Sequence, residues 1–261
     1  MKKKYPKWMV RVFWIVLLLA MWEVTVKVCK VSPLLFPAVE QVAATLWEGL
    51  TSGDLLYQSA YSLGIIGLGL LIALVLAFVL ALLSVQYPVA GSLIDTITAI
   101  AHPLPGLALL PLIIMWFGTG SGAVLAIIVH SALWPMLLNL ITGFESVPAI
   151  YLDTGRNLSM KPLAVTCEIM VRASAGYALS GIKIGWARAW RALISAEMAF
   201  GAVGLLGGIG WYILKQRTFM NTSGLFAGIV VVIILGILVE DVLFATVEKH
   251  TVQKWGMSSK N

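Results

Sequence analysis

The stretch from Glu145 to Arg172 reads ESVPAIYLDTGRNLSMKPLAVTCEIMVR and lies between two long apolar runs. Connections between neighbouring helices are commonly about 2–8 residues long. A polar loop of this length is not needed to turn a chain around at a bilayer surface. Its length predicts contact with something outside the membrane.

The rest of the composition explains why a membrane is in question. The chain has 261 residues, 60% hydrophobic and only 11% charged, with a mean hydropathy of +0.94. Soluble domains carry about 25% charged residues. This chain lacks the polar surface to cover a globule, which makes lipid its solvent. Backbone groups in lipid must be satisfied within the segment, so the spans are expected to be helices of roughly 20 residues. The fold class expected is therefore an all-α polytopic membrane protein. The formal charge is +6, but the basic residues are scattered among apolar runs and form no patch, so no nucleic-acid partner is expected.

Six spans are expected, over about 9–29, 57–85, 92–117, 121–144, 174–199 and 223–247. The basic start (Lys2, Lys3, Lys4, Lys7, Arg11) runs into VFWIVLLLAMW with no small-residue cleavage site after it, which reads as an uncleaved first span rather than a signal peptide. Segment 34–52 is moderately amphipathic and reads as an interfacial helix. No internal repeat or linker divides residues 1–261, so a single transmembrane domain is the simplest organisation. Within the third span, His102, Pro103, Pro105 and Gly106 interrupt the apolar run, and Pro111 follows. Proline removes a backbone donor. Such a break is tolerated in a membrane where protein or a cavity satisfies the freed groups. It reads either as a simple kink or as part of a pore wall.

Topology follows the Lys/Arg bias. With the N-terminus in the cytoplasm, that side collects the five basic residues of the start together with Arg156, Lys161, Arg172, Lys249, Lys254 and Lys260. The other side has Lys27, Lys30, Lys215 and Arg217. Both termini and the 145–173 loop are thus expected in the cytoplasm. Cys29 and Cys167 then lie near opposite faces and are expected to stay unpaired.

The fifth span, GIKIGWARAWRALISAEMAF, contains Lys183, Arg188, Arg191 and Glu197. Ionisable groups inside a span are costly and face protein or water. At 100° per residue, Lys183, Ala187, Trp190, Ile194 and Glu197 share one stripe, and Arg188, Arg191 and Ser195 a neighbouring one. Lys183 and Glu197 are about 21 Å apart along the axis and cannot pair. The arginines either line a water-filled path that attracts anions or pair with helix ends and buried groups. Lys183 can snorkel to the interface. Trp186 and Trp190 read as packing. Small residues at spacing four, Gly181, Gly185 and Ala189, then Gly224 and Gly228, predict close helix approach, within one subunit or between two copies.

Several chemistries have no support. There is no phosphate-cradling G-x-x-x-x-G-K-[ST] loop and no G-x-S-x-G elbow. His102, His130 and His250 have no ligand-spaced partners, so no metal site is expected. The chain does not read as an enzyme. An ATP-independent carrier or channel would show an inverted repeat or intramembrane ionic pairs, and it stands as the alternative reading.

The run Pro103-Leu104-Pro105-Gly106-Leu107-Ala108-Leu109-Leu110-Pro111-Leu112-Ile113-Ile114-Met115-Trp116-Phe117-Gly118-Thr119-Gly120 closely resembles a signature of ABC importer permeases, of the group serving nitrate, taurine, alkanesulfonates and bicarbonate. Leu35 to Val42, Leu179 to Gly185, and Ala196-Glu197 resemble other parts of that group. The likeness covers roughly 34 to 256. It implies an ABC type I importer permease-like fold. It also implies a homodimer of permeases in a bacterial inner membrane, a cytoplasmic ABC ATPase dimer holding ATP and Mg, and an extracytoplasmic substrate-binding protein. The chain itself would hold no cofactor. A coupling helix is implied within about 149–161, where family members carry Glu-Ala-Ala, three residues, then Gly. Here Asp153-Thr154-Gly155 and Ser159 stand in those places, with Arg156 and Leu158 between them. Gly155 costs a helix about 1 kcal/mol relative to alanine. Val171-Arg172 and Gly176 replace two prolines, which predicts a more regular start to the fifth span. The implied path residues are His102, Pro103, Pro105, Arg188, Arg191 and Glu197, and the implied solute is a small oxyanion such as a sulfonate, taurine, nitrate or bicarbonate.

Overall fold

The structure is a computed structural model that describes residues 7–201 and 207–254. The basic residues Lys2, Lys3, Lys4 and Lys260 lie outside the described residues. Among the described residues there are helices and no strands.

Hydropathy dictates the frame. Helix α1 (Lys7–Val28), α3 (Asp54–Gln86), α6 (Ser121–Glu145) and the helical stretch Thr222–His250 are each long and apolar enough to cross a bilayer. That last stretch comprises α12 (Thr222–Ile237), a wider π turn over Leu238–Phe244 and α13 (Ala245–His250). The fifth expected span is α10 (Ala175–Phe200), long enough at 26 residues but set apart from these four by its ionisable side chains. Between α1 and α3, the expected interfacial helix is α2 (Val39–Thr51).

The third span departs from expectation. It is α4 (Pro88–Ala101), a short 3-10 turn over Gly106–Leu109 and α5 (Leu110–Phe117), with a bend of 90° between the two halves. The 14 residues of α4 reach only about 21 Å, too short for a hydrocarbon core of roughly 30 Å. The stretch 92–117 is therefore a broken span and not one helix. Its ends lie on opposite faces. Gln86, at the foot of α3, donates to Thr166 Oγ1 of the 145–173 loop at 2.6 Å, whereas α5 leads into the end of α6 remote from that loop.

α3, α6 and α10 build the core. Their seams are close because small residues stand there. A Cβ on Gly181 would come within 2.9 Å of Asn139 and 3.2 Å of the Met136 backbone, and one on Gly185 within 2.7 Å of Met136. Gly228 likewise faces Ile213 and Tyr212. These faces are used within one chain. Trp186 and Trp190 stack at 5.5 Å, with Phe244 edge-on to Trp186, which is packing as expected.

Helix α1 lies outside this core. Near one end Trp22 packs on Phe226 and Phe36, and near the other Arg11 pairs with Asp241 at 2.7 Å. The order of these contacts makes α1 antiparallel to the last helix, so both ends of the described chain reach the same face. Lys183 pairs with Glu248 of α13, and Val252 lies against Gly176, which places the C-terminal end beside the 145–173 loop. Both cysteines are free and exposed.

A helix that hydropathy does not foretell completes the fold. α11 (Ile209–Thr218) packs against α3, α10 and α12 on the face away from the loop.

A candidate translocation site at the broken span

Two proline effects meet at one place. At the break, Pro103 and Pro105 cannot donate, and the carbonyl of Leu104 points away from the helix. His130 of α6 donates to it from Nε2 at 3.1 Å, and its Nδ1 accepts from Trp134 Nε1 at 3.3 Å. Across from the break, Pro135 sits inside α6, so the carbonyl of Ser131 four residues earlier loses its helical donor. Gly106 lets the broken segment approach: a Cβ there would stand 2.9 Å from Ser131 Oγ.

The result is a cavity of about 310 Å³ lined by the break, by His130, Ser131 and Trp134 of α6, and by Arg188, Arg191, Ala192 and Ser195 of α10. Its charge is one-sided. No carboxylate lines it among the described residues. Arg188 Nη1 meets His102 Nε2 at 2.8 Å. A guanidinium has donors only, so His102 accepts through Nε2 and is neutral in this pairing. Arg191 is exposed and makes no hydrogen bond or ion pair among the described residues.

The structure thus brings together His102, Pro103, Pro105, Arg188 and Arg191, five of the six residues expected on a path. Glu197 is not with them. It is 1% exposed and faces the opposite side of α10. Ser62 Oγ donates to its carboxylate at 2.8 and 3.0 Å, the Gly210 N–H donates to it at 2.8 Å, and Ser62 Oγ accepts from the Ile209 N–H at 3.0 Å. A carboxylate and a hydroxyl from two other helices cap the start of α11. Glycines at 208 and 210 make this fit, since a Cβ at either position would fall within 2.7 Å of Glu197.

The loop carries α7 (Ala149–Asn157), inside the expected 149–161 stretch. Asp153 and Arg156 form an exposed pair at 3.3 Å. Ile150 and Leu158 are 71% and 72% exposed, an apolar offering to nothing in this chain. Gly155 is buried against Val165 and Ile169, where a Cβ would come within 2.8 Å. It gives up helix propensity for close packing. Ser159 has φ +55°, and its N–H and that of Met160 return to the carbonyls of Arg156 and Gly155 at 2.9 and 3.1 Å. This is the helix stop that glycine ordinarily makes. After it come α8 (Pro162–Ala164), a π turn over Val165–Met170 and α9 (Val171–Ala173). The approach to α10 is helical but not regular, because the π turn and the break at Ser174 replace the expected smooth start.

The matched family model, the binding-protein-dependent transport system inner membrane component, spans residues 73–253. Similar proteins include a Bacillus subtilis permease named for aliphatic sulfonates transport, 26% identical over 97% of this chain and 90% of its own length. The taurine transport system permease protein of Escherichia coli is 26% identical over 85% and 82%. A nitrate import permease protein of Leptolyngbya laminosa is 28% identical over 72% and 66%.

Proposed function

Because the chain belongs to the family of binding-protein-dependent transport system inner membrane components, and within it to the ABC permeases of the nitrate, taurine and sulfonate group, we propose that it imports a small oxyanion by ATP-driven alternating access. The observation that carries this reading is α7, an exposed helix with Ile150 and Leu158 bare on the loop face. A cytoplasmic ABC ATPase dimer, which binds ATP and Mg, seats α7, with Asp153, Thr154, Gly155, Arg156, Leu158 and Ser159 at the contact. An extracytoplasmic binding protein delivers the solute. Both termini and the loop are cytoplasmic, in agreement with the basic residues on that side.

A second copy faces the broken span. Arg191 is exposed within α10, and an arginine held against lipid at mid-span costs at least about 2.5 kcal/mol. This face therefore meets water and protein. Two copies enclosing the cavity of His102, Pro103, Pro105, Arg188 and Arg191 give a homodimer with a cationic path, which suits a sulfonate, taurine, nitrate or bicarbonate.

The test is purification of the tagged chain from native membranes with identification of its partners. A P-loop ATPase at equal copy number is expected. Charge reversal at Asp153 or Arg156 is expected to uncouple its hydrolysis from uptake. A stable oligomer with no ATPase would sink the reading in favour of an ATP-independent carrier.

A further inference from the structure

The two arginines of the cavity are not in the same state. Arg188 is engaged by His102, and Arg191 has no hydrogen bond or ion pair among the described residues. The engaged one spans a structural boundary. His102 caps the end of α4 where the span bends by 90°, and Arg188 belongs to the core helix α10. The bond between them is the polar link, among the described residues, that fastens the bend to α10.

That bond is of an exchangeable kind. His102 offers one neutral nitrogen to a guanidinium that has five donors. The guanidinium already makes the His102 bond charge-assisted, but an oxyanion adds a negative charge and two or three oxygens in bidentate geometry, which a single neutral nitrogen cannot match. Among the described residues no carboxylate lines the cavity to compete for it. Arg191 lies three residues from Arg188, one helical turn away on the same side, so an anion drawn to Arg191 arrives beside the His102 bond.

We infer that the His102–Arg188 pair is a latch on the broken span, and that the anionic group of the solute opens it by taking His102's place at Arg188. Arg191 makes the first contact, and Arg188 reports occupancy to the bend. Solute binding thereby becomes a change in what holds α4 and the Gly106–Leu109 turn. The inference rests on the importer reading for its solute, but its assay uses no ATPase, so the two fail separately.

The experiment uses the full chain in membrane vesicles with Cys29→Ser and Cys167→Ser, and Thr98→Cys, buried one turn before the break, as the reporting thiol. The rate of alkylation by N-ethylmaleimide is measured alone and with millimolar methanesulfonate, nitrate, bicarbonate or acetate. The latched parent reacts slowly, and at least one of these anions speeds it by about tenfold, the factor set by one hydrogen bond of ordinary net strength. His102→Ala and Arg188→Gln react fast without any anion and respond to none. Arg188→Lys, which can still donate to His102, stays slow. Arg191→Gln stays slow and loses its response. The inference is overturned if His102→Ala and Arg188→Gln keep the parent's slow rate, or if no anion of the panel alters the parent.

Discussion

Two polar clusters occupy opposite faces of α10 and obey different rules. On one face Glu197 is closed in, with Ser62 and the Gly210 N–H satisfying its carboxylate. On the other, among the described residues, Arg188 holds a single neutral acceptor and Arg191 none. The buried cluster completes its bonds within the chain and fixes three helices together. The open cluster leaves a positive charge without a carboxylate partner among the described residues, facing an open cavity. A closed polar cluster and an open one are thus divided between the two faces of one helix.

Thermal unfolding of the purified protein in detergent can break that division. Glu197→Ala is expected to have the largest effect, about 3 kcal/mol of destabilisation, since it strands Ser62 and the N-terminus of α11 without an acceptor. Gly181→Val should come next at about 2 kcal/mol, because the new side chain meets the Met136 backbone and cannot push it aside. Ser159→Gly is expected to stabilise by about 1 kcal/mol, by relieving a left-handed residue at the end of α7. Arg191→Gln should change stability by less than about 0.5 kcal/mol, yet lower solute uptake roughly tenfold through the loss of one charged contact. A large loss of stability in Arg191→Gln, or none in Glu197→Ala, would erase the contrast.

Part of this division is visible in the residues alone. Hydropathy locates α1, α3, α6 and the last helix to within a few residues, and helical spacing by itself groups Arg188, Arg191 and Ser195. The prolines announce a break. They cannot give its angle, which depends on His130 reaching Leu104 across 26 residues. Pro135 signals a freed carbonyl at Ser131, but nothing local tells that this carbonyl belongs to the helix facing the break. α11 is hidden for a physical reason. Its start is rich in glycine, and what stabilises it comes from Ser62, 147 residues earlier. The separation of Glu197 from the cavity is hidden for the same reason: its partners Ser62 and Gly210 are not its neighbours on the helix.

The attachment points of α1 carry a consequence for biogenesis. One set lies on Phe36, Pro37 and Val39, and the other on Phe226 and Asp241, far later in the chain. α1 therefore gains its contacts with residues 36–40 as soon as those are made, but its fastening to the last helix waits until most of the described chain has been synthesised. Until then α1 stays tethered beside α2, and it closes on the last helix late in assembly. Shortening the chain before Asp241 should leave α1 open to crosslinking with neighbouring membrane components throughout the lifetime of the truncated product.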